Sequence, residues 1–284
     1  GLSYMEAMGG KGANQAIAAH RLGGDVQFIT CLGDDPNGRN TLEYYKNENL
    51  DVSDSHIESG ASSGTAMILV DENGENCIVV TPGANHLLKP DYIRQVEEEI
   101  SKVGLVLMQM EIPYETVKEV SAICQEQGIQ LFLNVAPARQ LDDELIKAVD
   151  VLIVNETEAE TITGVEIEIA GKEAVVNRLI AMGATSVVLT LGKEGCYCKN
   201  EEESFYMPAF QVDAVDTTAA GDTFCGALVT KISKGNGLKD AVRFASAASA
   251  ITVTKMGAQP SIPTADEVHK FLQTYEQEQH VEHT

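Results

Sequence analysis

Basic residues are scarce in this sequence. Lys and Arg number 20 against 43 Asp and Glu, which gives a formal net charge of −23 over 284 residues. Because nucleic acids and anionic membranes are bound through Lys and Arg that neutralise phosphate charge, this balance argues against both as partners. A small polyphosphate ligand is compatible with it, since a few backbone N–H groups, a metal ion and one Lys can bind such a group.

Long apolar runs and paired cysteines are also missing. No stretch approaches the twenty apolar residues of a transmembrane helix, and Gly1-Leu2-Ser3-Tyr4 lacks the basic and apolar parts of a signal peptide. The six cysteines include no C-x-x-C pair and no Cys/His spacing typical of zinc sites. We therefore expect a soluble cytoplasmic enzyme with reduced thiols.

What is present is an alternation of short apolar runs and helix-period segments, as in βαβ units. We predict a single α/β domain over residues 1–284, with a mostly parallel central sheet flanked by helices on both faces. The predicted strands are Val26–Cys31, Val103–Met108, Leu131–Asn134, Val151–Val154 and Val187–Leu191. The predicted helices are Gly12–Leu22, Asn37–Glu48, Tyr114–Gln127, Glu144–Ala148, Glu173–Met182, Asp222–Ser233, Leu238–Thr254 and Thr264–Gln277.

Two hairpins interrupt this alternation. Thr65–Val70 and Cys77–Thr81 flank Asp71-Glu72-Asn73-Gly74, and Asn-Gly is a strong hairpin signal. With the strand-like Tyr4–Met8, they predict a small antiparallel lid sheet formed by about residues 1–9 and 61–83. A second hairpin is predicted to join Gly195–Lys199 to Phe205–Met207.

The strongest chemical signal is the run from Asp216 to Phe224. Ala219-Ala220-Gly221 precedes an amphipathic segment, so the run predicts a loop that leads into a helix N-terminus, where free backbone N–H groups and the helix dipole favour an anion. Asp222 could then act as a base beside a bound phosphate. It could equally cap the helix, and the segment alone does not decide between the two.

Two further motifs carry polar groups into predicted helices. Gly9–Gln15 could bring its backbone, Lys11 and Asn14 close to a polar ligand, or could be a Gly-rich turn without the spacing of a phosphate loop. Asn155–Glu160 follows a predicted strand, so its carboxylates lie where parallel sheets bind ligands. The alternative for that motif is an acidic first turn that complements the helix dipole.

Other strand ends carry polar groups too. Glu111, Asn134 and the segment Thr190-Leu191-Gly192 each follow a predicted strand. Each signal is weak by itself. Because carboxyl ends of parallel strands meet at one edge of a sheet, we expect these groups to converge there.

Taken together, these motifs resemble the signatures of the ribokinase-like carbohydrate kinases, in order and across nearly the whole chain. The matching blocks are Gly9–Gln15, Cys31–Asp35, Asn134–Arg139, Asn155–Glu158, Asp216–Thr223 and Gly257–Ser261. The resemblance implies ATP-dependent phosphorylation of a sugar hydroxyl with Mg²⁺, activation by K⁺, and a homodimer that packs through its lid sheets.

The resemblance also implies a role for each matching residue. Asp222 corresponds to the catalytic base, and Ala219, Ala220 and Gly221 to the anion hole. Gly10, Lys11, Asn14, Glu111 and Asp222 correspond to the sugar-binding positions. The ATP-binding positions are Asn155, Thr190, Gly192, Gly221 and Ser246, and Glu158 organises Mg²⁺ through water. The K⁺ loop corresponds to Asp216, Thr218, Thr252, Lys255, Gly257 and Ser261.

The sequence departs from the family pattern at its start. Members begin with a core strand and a sugar-binding loop carrying Asn and Asp, whereas Gly1 falls inside the first lid strand of the pattern. We expect unpaired backbone groups and a gap in the sheet where that strand would lie. The expectation is therefore a fragment or truncated chain, whose own activity the sequence leaves open.

The function expected from the resemblance is transfer of the ATP γ-phosphoryl group to the 5-hydroxyl of D-ribose. The alternatives are a related kinase for deoxyribose, a ketose or a nucleoside, and a truncated, inactive sugar-binding protein. A Rossmann-type dehydrogenase would fit the α/β alternation but requires a G-x-G-x-x-G loop after a first strand, which the sequence lacks.

Overall fold

Alternating strands and helices build most of the molecule. The computed structural model describes residues 6–70 and 76–282. The strands are β1 (Cys31–Gly33), β2 (His56–Glu58), β3 (Thr65–Val70), β4 (Asn76–Thr81), β5 (Leu105–Met108), β6 (Gln130–Asn134), β7 (Val151–Asn155), β8 (Ser186–Thr190), β9 (Gly195–Lys199) and β10 (Ser204–Pro208). The helices are α1 (Lys11–Arg21), α2 (Pro36–Asn47), α3 (Pro90–Gln95), α4 (Glu97–Ile100), α5 (Tyr114–Gln127), α6 (Asp143–Ala148), α7 (Glu156–Thr163), α8 (Ile167–Ala170), α9 (Lys172–Met182), α10 (Ala220–Ser233), α11 (Leu238–Val253) and α12 (Ala265–Glu282).

The main sheet has the order β10-β9-β8-β7-β6-β5. Strands β5 to β8 pair in parallel, and β9 and β10 are antiparallel additions at one edge. This arrangement confirms the predicted mostly parallel sheet and the hairpin formed by β9 and β10. Among the described strands, β5 is the other edge and pairs only with β6.

Helices cover both faces of this sheet, as predicted. Successive residues of one strand point to opposite faces, so Leu131 and Leu133 of β6 join one core cluster while Phe132 joins the other. The first cluster contains side chains of α3, α5, α7 and α9, and the second those of α10 and α11. Two buried faces explain why the strands read as continuous apolar runs.

The strand predicted over Val26–Cys31 is wrong in its extent. Gln27 makes only an isolated bridge to Asp51, and the strand β1 begins at Cys31. Backbone groups of residues 28–30 bond to a loop instead: Ser55 donates its hydroxyl to the carbonyl of Phe28 and accepts from Thr30 N. The register also shifts by one residue between the Gln27–Asp51 bridge and the Cys31–His56 pair, so no regular ladder forms there.

β1 pairs in parallel with β2, which the sequence analysis did not predict, and the pair stands apart from the main sheet. The three residues of β2, His56–Glu58, are too few and too polar to give a strand signal. The predicted strand Tyr4–Met8 is also not formed at its described end, since residues 6–10 are irregular. Tyr4 and Met5 lie outside the described residues.

The lid hairpin, β3 with β4, forms a separate two-stranded antiparallel sheet, with Thr65 opposite Thr81. Its predicted turn, residues 71–74, lies outside the described part of the chain. Large apolar side chains are exposed on it by half or more: Met67, Ile68, Leu69, Val79 and Val80. Consecutive residues point to opposite faces, so apolar side chains are exposed on both faces of the hairpin.

The last third of the chain is helical, as predicted, and α10 is packed tightly against α1. A Cβ atom at Gly226 of α10 would lie 2.6 Å from the carbonyl oxygen of Gln15 and 2.7 Å from the Cβ of Ala18. Thr230 adds a hydrogen bond from its hydroxyl to the carbonyl of Ala19, at 3.2 Å. No helix within residues 6–70 and 76–282 is long and apolar enough to cross a membrane.

Candidate active site

The N-termini of α1 and α10 meet above the carboxyl end of β6. Three side chains join them: Asn14 and Gln15 from α1 and Asp222 from α10. Gln15 also contacts Asn134, the last residue of β6, through a hydrogen bond from Nε2 to Oδ1 of 3.1 Å. Of the strand-end groups expected to converge at this edge, Asn134 is thus joined to Asp222 through Gln15.

Asp222 is buried within the first turn of α10, with 8% of its surface exposed. Asn14 Nδ2 donates to Oδ2 at 2.9 Å, and Gln15 Nε2 donates to Oδ1 at 3.1 Å. The residue at the N-cap is Ala219, and no side chain caps the helix. The alternative that Asp222 is merely a helix cap is thus wrong, because its carboxylate faces another helix.

Burial raises the pKa of Asp222, and the hydrogen bonds from Asn14 and Gln15 and the charge of Lys11 oppose that rise. The net effect is a pKa above the ordinary value for Asp. A carboxylate with a raised pKa is a stronger base, because its protonated form is more stable. The environment therefore suits Asp222 to accepting a proton.

The backbone before Asp222 is open to solvent. Ala219 has a left-handed φ of 60°, which turns the loop into α10, and a Cβ atom at Gly221 would meet nothing within 4 Å. Within the described chain, no acceptor pairs with the amides of Gly221 and Asp222. Ser249 of α11 donates to the carbonyl of Ala220 at 3.0 Å and so supports the turn. Such free amides at a helix N-terminus can bind an anion.

The Gly-rich motif lies beside this opening. Lys11 N donates to Glu111 Oε2 at 2.9 Å, which connects the start of α1 to the loop after β5. Gly10 has a φ of 93°, and a Cβ atom at Gly12 would lie 2.4 Å from Gln109 Nε2. Gly10 is therefore suited to its left-handed backbone conformation, whereas Gly12 leaves room for the end of the Gln109 side chain. Asn14 Oδ1 is buried and has no partner among the described groups, so it can accept from a ligand hydroxyl.

Asn155 and Glu158 form a capping box at the start of α7. Asn155 Oδ1 accepts from Glu158 N, and Asn155 N donates to Glu158 Oε2, both at 2.8 Å. Burial raises the pKa of Glu158, and the nearby charge of Asp222 adds to the rise. The motif thus forms the acidic first turn of a helix, which was the alternative in the sequence analysis. It also brings a second buried carboxylate, that of Glu158, near Asp222.

The predicted ATP-binding residues follow the neighbouring strand ends. Asn155 and Thr190 are register partners at the ends of β7 and β8, and Thr190 donates to the carbonyl of Val154 at 3.3 Å. Gly192, with a left-handed φ of 52°, begins a short 3₁₀ turn just beyond. Ser246 lies on α11, three residues before Ser249.

The loop predicted to bind K⁺ is held by Asp216. Its Oδ1 accepts from the amide and hydroxyl of Thr218, at 2.9 and 2.6 Å, and its Oδ2 accepts from Gly257 N at 2.9 Å. Burial raises the pKa of Asp216, but these hydrogen bonds together hold it below the usual value. Asp216 therefore connects its own loop, residues 216–218, to the loop that contains Gly257.

The other side chains of this predicted loop are already in use. Thr252 and Ser261 donate to the carbonyls of Ala248 and Ala258, and Lys255 pairs with Glu267. No cluster of three or more His, Cys, Asp or Glu that could hold a metal occurs in the described part of the chain. A cation here would therefore be bound mainly by backbone carbonyls.

Comparison with known proteins identifies the family. The model for pfkB family carbohydrate kinases matches residues 3–265. The chain belongs to the pfkB family of carbohydrate kinases. Relatives include a ribokinase of Haemophilus influenzae, 41% identical over 276 residues that cover 96% of this chain and 90% of the relative. A deoxyribokinase of Salmonella typhi is 34% identical, over 93% of this chain and 87% of the relative.

Solved structures of the family agree with the fold. A ribokinase from Thermotoga maritima superposes with a TM-score of 0.83 and 36% identity, covering 93% of this chain and 87% of that one. The structure of Arabidopsis thaliana ribokinase complexed with ribose and ATP has a TM-score of 0.86 and 28% identity, with the same coverage. The ribokinase-like fold expected from the sequence is therefore confirmed, and the dehydrogenase alternative is wrong.

Sequence reasoning missed two residues of this candidate site. Gln15 was seen only as part of a motif and received no role, and Ser249 was not singled out. A signal existed for Gln15, since it directly follows Asn14 in the Gly-rich motif. Ser249 gave none, because its hydrogen bond to Ala220 depends on how α11 packs against α10.

Proposed function

We propose that this pfkB-family chain phosphorylates the 5-hydroxyl of D-ribose with ATP. The observation that carries the proposal is the buried carboxylate of Asp222, held by Asn14 and Gln15 beside free amides at the start of α10. A base next to an anion-binding turn is what phosphoryl transfer to a hydroxyl requires. Ribose is favoured as the acceptor because relatives of similar length are ribokinases, one of them complexed with ribose and ATP.

In the proposed reaction, Asp222 takes the proton of the sugar hydroxyl. The sugar oxygen then forms a bond to the γ-phosphorus of ATP, while the bond from that phosphorus to the oxygen of ADP breaks. The backbone N–H groups of residues 219–222 offset the charge that develops on the transferred group. The reaction thus needs one proton acceptor and one anion hole, and both lie within the same helical turn.

The sugar is proposed to bind between the Gly-rich loop and the loop after β5. Gly10, Lys11, Asn14 and Glu111 surround this region, and the unpartnered Oδ1 of Asn14 can accept one sugar hydroxyl. An acceptor buried without a partner is costly, so a ligand hydroxyl there would be bound favourably. We assign these four residues, with Asp222, to the sugar.

ATP is proposed to bind along the ends of β7 and β8, against Asn155, Thr190, Gly192, Gly221 and Ser246. Mg²⁺, when bound with the nucleotide, neutralises phosphate charge. Glu158 would hold it through water, because one carboxylate oxygen already accepts from Asn155 N and the other is left. A single carboxylate fits Mg²⁺, which relies on water and phosphate ligands more than on the protein.

K⁺ is proposed as an activator that binds in the loops joined by Asp216. The proposed positions are Asp216, Thr218, Thr252, Lys255, Gly257 and Ser261, acting mostly through their carbonyls. Since Thr218 directly precedes the anion hole, a cation here would stabilise the turn that carries Ala219. The role is therefore indirect.

The lid, residues 1–9 and 61–83, is proposed to close over the sugar and to pack against the lid of a second copy in a cytoplasmic homodimer. The support is the exposed apolar surface of β3 and β4, where Met67 and Val80 are 62% and 60% exposed. Exposed apolar patches of this kind mark interaction sites. A second lid would cover them.

The test is ADP production by the purified protein with D-ribose, 2-deoxy-D-ribose, D-fructose and adenosine, each with and without K⁺. We expect D-ribose to give the highest kcat/KM, with a further increase in K⁺. Deoxyribose is the second candidate, because a deoxyribokinase is 34% identical. Ribose binding without ADP production would instead identify an inactive sugar-binding protein and refute the proposal.

A further inference from the structure

The two amides that hold Asp222 differ in their other contacts. Asn14 ends in the unpartnered, buried Oδ1 described above. Gln15, only 2% exposed, shares its Nε2 between Asp222 and the Oδ1 of Asn134. Asn134 in turn donates through Nδ2 to the carbonyl of Ile153, at 3.3 Å. The Asn14 amide therefore has an atom free toward the open site, whereas the Gln15 amide is connected through Asn134 to the central sheet.

We propose that Gln15 is a positioning residue for Asp222, and that the chain of side chains from Asn134 through Gln15 holds the carboxylate in its proton-accepting orientation. The inference rests on the proposed kinase function. Gln15 acts through Asp222, whereas Asn14 has an atom free for the sugar. The two residues are neighbours in sequence but have separate tasks.

The orientation of an Asp carboxylate needs such support. Rotation about its Cβ–Cγ bond has a broad energy profile, so one hydrogen bond would leave the plane of the group poorly defined. Here each oxygen receives its own donor, Oδ2 from Asn14 and Oδ1 from Gln15. Each oxygen keeps a second lone pair for the reacting proton. A general base must lie within hydrogen-bond reach of that proton, and misplacement by about 1 Å can cost about 100-fold in rate.

The backbone supports the same geometry. Gly226 lets α10 approach the carbonyl of Gln15 so closely that a side chain would not fit between them. At the other end, Asn134 is register partner of Ile153 at the last paired position of β6 and β7. The chain of side chains is therefore attached at both ends to closely packed elements.

The charges facing Asp222 explain why amides suit this task. Lys11 approaches from α1, Glu158 from α7, and the fully buried Cys225 lies one turn along α10. Burial raises the pKa of Asp222, and the two amides moderate that rise. A neutral amide orients the carboxylate without neutralising it, so Asp222 still takes up a proton. A cation in place of Gln15 would weaken the base.

The central test is Gln15→Met, which keeps the length of the side chain and removes its N–H donors. We expect kcat with ribose to fall about 10- to 100-fold while KM for ribose stays within about threefold. The acidic limb of the kcat–pH profile should move to higher pH, because the carboxylate loses a donor that favours its charged form. Gln125→Met, at an exposed position of α5, is the matched control and should change neither quantity.

A second variant guards against misfolding of the first. Asn134→Ala releases Gln15 but leaves its contact with Asp222 possible, so it should lower kcat less and move the pH profile in the same direction. If Gln15→Met loses its circular dichroism signal or its cooperative melting, the kcat and pH profile of Asn134→Ala are used to test the inference instead. An unchanged kcat and pH profile in the folded variant would overturn the inference.

A double mutant separates positioning from general damage. With Asp222→Asn already present, Gln15→Met should cause no further loss beyond about twofold, because the residue it positions is gone. A full additional loss would overturn the inference. If the wild-type protein makes no ADP with ribose, the proposed function itself fails. If Asp222→Asn retains turnover, Asp222 is not the base, and both its proposed role and this inference fail. If both behave as proposed and Gln15→Met equals the wild type, only this inference fails.

Discussion

Around Asp222, α1 and α10 are in such close contact that polar side chains bond to one another and Gly226 has no room for a side chain. The lid hairpin, by contrast, leaves large apolar side chains exposed on both faces, Met67 and Val79 among them. In the first region, the polar side chains are hydrogen-bonded to one another within the chain. The second has apolar surface that only another surface can cover. Close packing within the chain suits the positioning of a reacting group. Exposed apolar surface suits the proposed closure of the lid and its contact with a second copy.

The largest effect on the region around Asp222 is expected from Asp222→Asn. The substitution keeps the shape of the side chain and removes the base, so we expect kcat to fall about 100-fold or more with ribose affinity nearly unchanged. Steady-state ADP release and ribose binding by calorimetry measure the two quantities. Retained turnover would show that the buried carboxylate is not the base.

The second-largest effect on the region around Asp222 is expected at acid pH. Because the folded pKa of Asp222 is raised, the active carboxylate is present above that pKa and is lost as the pH falls through it. We expect kcat to fall about tenfold per pH unit below the pKa, which should exceed the ordinary range for Asp. A kcat–pH profile with ribose saturating checks this. A flat profile down to the ordinary pKa of Asp would contradict it.

The close contact of α1 with α10 is tested by Gly226→Ala. The added Cβ forces the helices apart, and we expect about 1–3 kcal/mol less stability together with lower kcat. Urea unfolding measures the first effect. Gly221→Ala is the matched control, because its Cβ meets open space; it should leave stability nearly unchanged and weaken ATP binding instead. Equal destabilisation by both would refute the contact argument.

The smallest effect on catalysis is expected in the lid. Leu69→Lys with Val79→Lys places charges on the exposed apolar surface, so the proposed dimer should weaken about tenfold or more while the site around Asp222 is unchanged. Sedimentation at several concentrations measures this. The matched control is Ile169→Lys on α8, where the side chain is 80% exposed outside the lid and the change should have no effect on assembly.

The two regions also differ in how well their sequences predicted them. The lid hairpin was predicted from two apolar, strand-like runs on either side of Asn-Gly, a signal contained in neighbouring residues. The strand at Val26–Cys31 was misplaced because this segment bonds to residues 51–56, partly through the Ser55 hydroxyl, and no local pattern records such contacts. β2 was missed for the same reason, since its short polar run becomes a strand only by pairing with β1.

Within the candidate site, the role of Asp222 depended on where α10 begins. The sequence suggested a start at Asp222, whereas the helix begins at Ala220. Each residue turns the side-chain direction by about 100°, so two extra residues move Asp222 from the helix end to the interior side of the first turn. A difference of two residues in the helix boundary therefore places the Asp222 carboxylate away from the cap position.

By itself, the sequence determined the α/β alternation, the approximate positions of the helices and the polar residues at the strand ends, because each depends on nearby residues. Only the tertiary structure decided that Asn14 and Gln15 would meet Asp222, more than 200 residues later in the chain. Such contacts depend on the distance between α1 and α10, which is set by the missing side chain of Gly226. The residue types within each motif are set by the local sequence, whereas the contacts between motifs are set by helix packing.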